Sequence, residues 1–493
     1  MRYVVGIDIG TSSCKTVIVD EIGDIVSSAS KEYFAKSDTK GSAFQDPMDW
    51  YNAAVKTFKN ACARADINKK DVAAVGCSGQ MQGCTFIGKD GNPVRDSMIW
   101  HDTSPIQEAK LLTEQFGELF IKHCHLMPSP ALTVSKIKWL MNNEPDHWEA
   151  TYKFLFAPSF VTYMLSGQMV VDTHNLALSG LNDVESNSWS YELIDIIGIA
   201  RDKMPELRGC MDIVGGITAR AALDTGIKEG TPVIAGCGDG GAESYSVNIA
   251  GKRELKLRLG SASAASAVIR RKDLFISGKG TPYVTPEYIE VSSYTNACAR
   301  SVKWARGMFF SEMPQTDQTY SLMDKEAAKI PLGANGVMYH PYLGGEYAPY
   351  FNSNLRAKFT GINAGHLRGD FLKAIYEGVS FSIRDMLESE EELWKLPYVV
   401  FVGGGTKSKI WMSALVDILG KNGVIPKYGD ASYGVALMAG DAIGLLNGAK
   451  AADRSKEKGT KVFFNAENHE KYCDLFKRYR KLALLELSVN DEK

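Results

Sequence analysis

The sequence predicts an α/β protein of two domains, and three observations carry this. Strand-like and helical runs alternate along the whole chain. Its 493 residues are more than one hydrophobic core encloses. A pattern of strand, Gly-Ser turn and strand over residues 4–26 returns over residues 254–271, near the midpoint. Hairpins recurring at the same place in two halves suggest a duplicated domain with the ligand between the halves.

The elements follow in order. Residues 4–9 and 15–19 are apolar and β-rich, so they read as strands around Gly10-Thr11-Ser12-Ser13. Asp46-Pro47 opens a helix, and residues 50–65 keep helical spacing. Residues 71–77 form a strand ending in "CSGQMQG", and "CTFIGKDGNPV" forms a hairpin around Asp90-Gly91. "LTVSKIKWLMNNEPDHW" is helical until Pro145. "TPVIAG" is a strand, and "CGDGGAESYSVN" turns from it into a helix. Ser246 to Arg253 is the candidate boundary. In the second half, "LPYVVFVGGGTKSKIWMSALVDILG" reads as strand, triple glycine, helix, and "YGDASYGVALMAGDAIGLL" as a small-residue helix. Residues 451–461 read as a charged loop and 468–487 as an amphipathic helix. The expected division is 1–248, 249–450 and a tail of 451–493.

Composition removes several classes of function. The chain is 45% hydrophobic and 23% charged, as globular domains are. With 56 basic and 58 acidic residues, a net charge of −2, it has no electrostatic footprint for nucleic acid. No apolar stretch is long enough to span a bilayer. The chain starts directly in a strand, so a cytoplasmic location is expected. Nine scattered cysteines with no CxxC pair suit buried thiols in a reducing compartment. The tempting His123-Cys124-His125 reads as a structural or surface cluster, because adjacent side chains on a regular element diverge.

The chemistry sits in the turns. Asp8 ends the first strand beside Gly10-Thr11-Ser12-Ser13. Either this is ordinary hairpin chemistry, with Asp8 capping an amide, or it is a phosphate cradle. In the second case Gly10 allows close approach, the turn amides and hydroxyls bind phosphate, Lys15 adds a cation, and Asp8 holds Mg²⁺ through water. A strand follows the turn, so the loop is not a Walker A motif. Further glycine-rich turns follow strands at Gly236–Gly241, Gly260–Ser263 and Gly403–Gly405. Four such loops are better explained by one nucleotide threaded between two domains than by four unrelated turns. Asp239, in "GCGDGGAE" at the start of a helix, reads as an N-cap or as a catalytic carboxylate. The glycines around it favour the catalytic reading. An anionic Asp can accept the proton of an alcohol during phosphoryl transfer.

These motifs together resemble the FGGY carbohydrate kinase family, and within it the xylulokinase-like branch. "GIDIGTSSCK" resembles the first phosphate loop, "GCGDGGAE" the second, and "VVFVGGGTKS" the adenosine loop. "TVSKIKWLMNNEP" and "GINAGHLRGDFLKAIYEGVSF" resemble the two family signatures. The resemblance implies two ribonuclease-H-like domains, of the actin, sugar kinase and Hsp70 superfamily, with an active-site cleft between them. It implies ATP and Mg²⁺, with Asp239 as catalytic base and Asp8 near the metal. Thr11 and Ser12 would meet the transferred phosphoryl group, and Gly260 and Ser261 would meet it from the other domain. Gly403, Gly404, Gly405 and Lys407 would line the nucleotide, with Gly404 and Gly405 on the adenosine. Gln80, Met81, Gln82, Trp100, His101 and Asp102 occupy sugar-facing motifs. The partners expected are the sugar and ATP, without nucleic acid or membrane, and a homodimer is allowed for.

The chain departs from that pattern in three places. Xylulokinases usually read Met-His where Met81-Gln82 stands here. They usually read Trp-Asn-Asp, soon followed by Arg, where this chain has Trp100-His101-Asp102-Thr103. Their Gly-Thr-Ser-Gly loop is Gly260-Ser261-Ala262-Ser263. The first two changes touch the sugar and so bear on which sugar it is. No Arg or Lys cluster lies among these segments, which favours a neutral polyol or ketose, D-xylulose or a close pentulose before glycerol, other polyols, hexuloses or gluconate. An ATPase switch of the same superfamily and a catalytically inactive sugar sensor are the readings from other classes. The two signatures and the sugar-facing motifs argue against the first, and Asp8 with Asp239 against the second.

Overall fold

The computed structural model describes residues 1–39, 41–273 and 280–490. The chain forms two compact units. Unit 1 comprises Met1–Ala250, Val268–Glu290 and Tyr428–Arg454, and unit 2 comprises Gly251–Ala267, Val291–Lys427 and Ser455–Lys493. Among the described residues, no helix is long and apolar enough to cross a membrane. All nine cysteines are free thiols, and all but Cys473 are buried.

Unit 1 is built on a mixed sheet. Its strands are β1 (Tyr3–Ile9), β2 (Ser13–Asp20), β3 (Ile25–Glu32), β4 (Val72–Gly79), β5 (Ile213–Gly216), β6 (Pro232–Ile234) and β7 (Cys237–Gly238). They lie in the order β5-β6-β4-β1-β2-β3, and β7 also pairs with β4. β1, β2 and β3 are antiparallel hairpin neighbours, while β4 runs parallel to β1. The apolar run of β1 is buried because both sheet faces are covered. On one face lies the helix Pro47–Arg64, whose Asp46 caps it by accepting from the Met48 amide. Its Trp50 and Phe58 join Val5, Ile7 and Ile18 in one core.

The other face takes the helix Ala431–Ala442, from far along the chain. Small residues permit this contact. A Cβ on Gly6 of β1 would lie 1.9 Å from the Ser432 carbonyl oxygen, and one on Gly76 of β4 would lie 2.8 Å from that of Val435. A Cβ on Gly434 would likewise lie 1.8 Å from the carbonyl oxygen of Ala242, in the helix Asp239–Ser246.

In unit 2, β8 (Glu254–Leu259) pairs with the first residues of β9 (Ser263–Arg270), up to Ser266, to form the second hairpin. With β10 (Tyr288–Thr295), β11 (Tyr398–Val402), β12 (Asn422–Ile425) and β13 (Thr460–Val462) they lie in the order β10-β9-β8-β11-β12-β13. The helices Arg368–Glu388 and Ala466–Asn490 contribute Phe381, Tyr472, Phe476 and Tyr479 to a common cluster.

Two local expectations differ from the structure, and a third is extended by it. Residues 451–461 are not a loop: a helix covers Gly448–Glu457 and β13 follows. The Asn447 side chain accepts from the Lys450 amide at 2.8 Å, which caps this helix, and its small face buries Ala451 and Ala452. Its charges lie on one amphipathic helix, where a charge run reads like a loop if only composition is counted. The turn at Asp90-Gly91 forms, with Gly91 at φ +81°, but strand Thr85–Gly88 pairs along its length with Thr151–Leu155. The hairpin itself is present as well: the Gly88 amide donates to the Asn92 carbonyl at 2.8 Å, the Val94 amide donates to the Phe86 carbonyl at 2.9 Å, and Ile87 bridges Pro93. The helix before Pro145 ends at Asn143, and Pro145 itself starts another, Pro145–Ala150, because proline suits a first helical turn.

Candidate active site

The register of unit 1 brings three strand ends level. Ser78 of β4 pairs with Asp8 of β1 on one side and Cys237 of β7 on the other; Gly79 pairs with Ile9 and Gly238. The residues just beyond are therefore the Gly10–Ser13 turn, Gln80 and Asp239. Strands lie about 4.8 Å apart, so the outer two of these segments stand roughly 10 Å apart.

The first turn is closed by the Gly10 amide donating to the Ser13 carbonyl at 3.0 Å. Tyr33 holds it from outside, its amide donating to the Ser12 carbonyl at 3.1 Å and its hydroxyl to that of Gly10. Ser12 is exposed and Thr11 half-buried. The Ser78 hydroxyl donates to Asp8 Oδ1 at 3.0 Å. Lys15 faces Asp8 across the hairpin, and its ammonium pairs with Asp430 at 2.6 Å. Partial burial works to raise the Asp430 carboxyl, but the Lys15 charge and the bonds from Lys15, Ser432 and the Tyr433 amide outweigh it, so its pKa is lowered. Lys15 is thus a partly neutralised cation.

The segments expected to face a sugar are wired to this turn. Trp100 Nε1 donates to Thr11 Oγ1 at 2.8 Å. The Gln80 amide group donates to Gln45 Oε1 at 2.9 Å, and Gln45 Nε2 donates to the Thr11 carbonyl at 2.7 Å. Gln82 adopts φ +66°, a left-handed conformation that costs a non-glycine residue about 1–2 kcal/mol. The Thr133 hydroxyl donates to its carbonyl at 3.3 Å.

The same motifs reach the Asp239 turn. A Cβ on Gly238 would meet the Met81 sulfur at 2.4 Å and His174 Nδ1 at 2.9 Å. One on Gly241 would meet His174 Nε2 at 2.6 Å. The buried imidazole of His174 therefore spans the two glycines that flank Asp239 and Gly240. Asp239 begins an eight-residue helix, and its Oδ1 accepts from the Gly240 amide at 2.9 Å. The helix N-terminus favours the ionised carboxylate.

Asp102 is fully buried. Its Oδ1 accepts from the Ser104 amide at 2.9 Å and hydroxyl at 2.6 Å, and its Oδ2 has no hydrogen-bond partner among the described residues. His101 is pushed below its ordinary pKa by burial, against the pull of Asp102. The buried amine of Lys136 donates to the carbonyls of Pro130 and Ala131. Burial lowers its pKa to about 7, with Asp102 opposing.

The remaining predicted residues lie in unit 2. Leu257 and Arg258 of β8 pair with Phe401 and Val402 of β11, so the Gly260 and Gly403 loops leave neighbouring strands side by side. The carbonyls of Gly260 and Ser261 accept from the amides of Ala299 and Cys298, at the start of the helix Ala299–Phe309. Gly403 has φ +92°, and a Cβ on Gly405 would meet Trp411 at 2.6 Å. Among the described residues nothing lies within 4 Å of a Cβ built on Gly404. Lys407 is exposed, 3.8 Å from Asp317.

Among the described residues, no group of three or more His, Cys, Asp or Glu is arranged to hold a metal ion. The donor set suits Mg²⁺ nevertheless: Mg²⁺ keeps most of its waters and takes one or two carboxylates plus phosphate oxygens, and Asp8 beside a hydroxyl-rich turn offers one such carboxylate. Gln45, Asp430 and His174 were missing from the residues read as functional. Their roles come from contacts across 34, 415 and more than 60 positions of sequence, which no local pattern carries.

A carboxylate in a glycine turn, level with a hydroxyl-rich hairpin in a mixed sheet, is the architecture of a phosphotransferase acting on an alcohol. Comparison with known proteins gives the family. The model of the FGGY family of carbohydrate kinases matches in its N-terminal domain over residues 3–244 and in its C-terminal domain over residues 257–443. The chain belongs to the FGGY family of carbohydrate kinases. Among its relatives, the xylulose kinase of Bacillus subtilis (strain 168) is 26% identical over 487 residues, covering 98% of this chain and 97% of that protein. The gluconokinase of the same strain is 24% identical over 498 residues, covering 99% and 95%. A ligand-bound xylulose kinase structure from Lactobacillus acidophilus superposes with a TM-score of 0.87 at 23% identity, covering 100% of both chains.

Proposed function

We propose that this kinase transfers the γ-phosphoryl group of ATP to a hydroxyl of a small neutral sugar, D-xylulose or a related pentulose. The observation that carries this is the position of the sugar-facing motifs: Trp100 bonds to Thr11 of the phosphate turn, and Met81 packs on Gly238 beside Asp239. One wall thus borders both the phosphate turn and the base.

In this reading Asp239 accepts the proton of the attacking hydroxyl. A weak base suffices because the transition state is loose. Thr11 and Ser12 bind the transferred group, and Gly260, Ser261, Gly403, Gly404, Gly405 and Lys407 serve the rest of the nucleotide. Mg²⁺, held through water by Asp8, would neutralise charge on the phosphates. Gln80, Gln82, His101 and Asp102 read sugar hydroxyls. The unpartnered Asp102 Oδ2 supports this, because a buried carboxylate oxygen without a donor is costly. Trp100 supplies an apolar face. The enzyme works in the cytoplasm.

Relatives named gluconokinase favour a second substrate, a sugar acid. The cation near the sugar motifs, Lys136, is engaged by two carbonyls and faces the charge of Asp102, so it offers a carboxylate little. The test is kcat/KM with ATP across pentuloses, hexuloses, tetritols, glycerol and gluconate. A pentulose is expected to lead. A lead for gluconate overturns the charge argument, and a lead for glycerol or a polyol overturns the pentulose assignment.

A further inference from the structure

Gln45 is 1% exposed and joins three groups at once. Its Oε1 accepts from Trp50 Nε1 at 3.0 Å and from Gln80 Nε2 at 2.9 Å, and its Nε2 donates to the Thr11 carbonyl at 2.7 Å. The orientation of this amide follows from chemistry. An indole N–H can only donate, so the Gln45 oxygen must face Trp50 and its nitrogen must face the Thr11 carbonyl. Gln80 must then present its nitrogen to Gln45, which turns its own oxygen toward Thr11 Oγ1, 3.4 Å away. The second indole sets the last proton. Trp100 Nε1 donates to Thr11 Oγ1, so the Thr11 hydrogen points to Gln80 Oε1.

The hydroxyl expected to donate to a phosphoryl oxygen is therefore already donating elsewhere. Its bond to Gln80 is the longest in the ring and the first to yield. A sugar hydroxyl donating to Gln80 Oε1 competes for that acceptor and frees the Thr11 hydrogen.

We propose that Gln45 is a positioning residue that ties the Thr11 hydroxyl to Gln80 until a sugar hydroxyl claims that acceptor. The phosphate turn is then set for transfer only when the sugar is present, which suppresses transfer to water. This rests on the reading of Thr11 as phosphate-binding and Gln80 as sugar-binding.

The test compares the full-length parent with Gln45→Leu, Gln45→Glu and Trp50→Phe. Three quantities are measured: ADP release without sugar, the ratio of ADP to sugar phosphate at saturating sugar, and KM for ATP. Gln45→Leu frees the Gln80 amide. Sugar-free ADP release is expected to rise about tenfold, the effect of one lost net hydrogen bond. ADP is expected to exceed sugar phosphate, with KM for ATP little changed. Gln45→Glu keeps the oxygen that accepts from Trp50 and Gln80 but loses the amide donor to the Thr11 carbonyl. Its coupling is therefore expected to lie between those of the parent and Gln45→Leu, a grading that a merely structural role does not predict. A folded Gln45→Leu that stays coupled and releases ADP at the parent's sugar-free rate overturns the proposal. Should Gln45→Leu fail to fold, Trp50→Phe decides: it keeps an aromatic six-membered ring and removes, with the rest of the indole, the N–H that orients Gln45. Raised sugar-free release then supports the tie, and an unchanged rate overturns it. A parent that phosphorylates no sugar in the panel refutes the assigned reaction instead, and the sugar-free rates still decide the role of Gln45.

Discussion

Met81 and Gly238 are in such close contact that a methyl group on the glycine would sit 2.4 Å from the sulfur. The turn presenting Asp239 is therefore braced by Met81 on one side and by His174 on the other. Gly238→Ala is expected to displace this turn. Overpacking costs roughly 1–3 kcal/mol of stability, and a shift of about 1 Å at a reacting group costs about 10²-fold in rate. Gly240→Ala, with nothing among the described residues within 4 Å of the new Cβ, is expected to lose far less. Steady-state kcat with thermal melting of both variants checks this. Equal losses in the two would refute the bracing.

Asp239→Ala is expected to lower kcat by roughly 10²–10⁴-fold, the usual loss for a positioned base. Folding and nucleotide binding are expected to survive, because the helix start keeps its backbone. Calorimetric titration with ATP and single-turnover kinetics separate the two effects. Retention of more than about a tenth of parental kcat, well short of that loss, would remove Asp239 from the role of base.

Lys136 gives a pH dependence of stability with a definite sign. Burial lowers its amine from 10.5 to about 7 in the folded chain. Between those values the unfolded chain holds a proton that the folded chain has released, so stability rises with pH across this window. It falls as pH drops toward 7. Lys136→Met is expected to flatten this slope. It is also expected to be less stable, because the Pro130 and Ala131 carbonyls lose their donor. Urea denaturation at several pH values within the window checks it. Parallel curves for parent and variant would assign the slope to another group.

Gln82 holds a left-handed backbone that glycine adopts without strain. Gln82→Gly is expected to keep or raise the melting temperature by relieving about 1–2 kcal/mol of strain. KM for the sugar is expected to rise and discrimination between epimeric ketoses to weaken. A variant that loses stability and keeps its epimer preference would show that the side chain serves packing instead.

The strand hairpins, their turns and Asp239 were legible because their signals are local. Alternating apolar residues broken by Gly10-Thr11-Ser12-Ser13 can hardly form anything but a hairpin, and β1 and β2 pair with Asp8 opposite Lys15. What Lys15 does was not legible. Its partner, Asp430, lies 415 residues away and is placed by the cap of the helix Ala431–Ala442. Gln45 reads in sequence as an ordinary residue ahead of Asp46-Pro47; only the folded sheet places Thr11, Trp50 and Gln80 around it. His174 was invisible for the same reason, since its meaning lies in two glycines more than 60 positions on.

The seat of the helix Ala431–Ala442 on β1 and β4 bears on how the protein is made. Gly6 and Gly76 are bare so that this helix can lie against them. During synthesis the ribosome delivers β1 and β4 more than 350 residues before the helix that covers them. Until then one apolar sheet face faces water, and the nascent chain at that stage is a natural client for a holdase chaperone. A fragment cut at Ala250 would carry Asp8, Gln80 and Asp239, yet keep that face uncovered and aggregate; adding a peptide of residues 428–454 should rescue it.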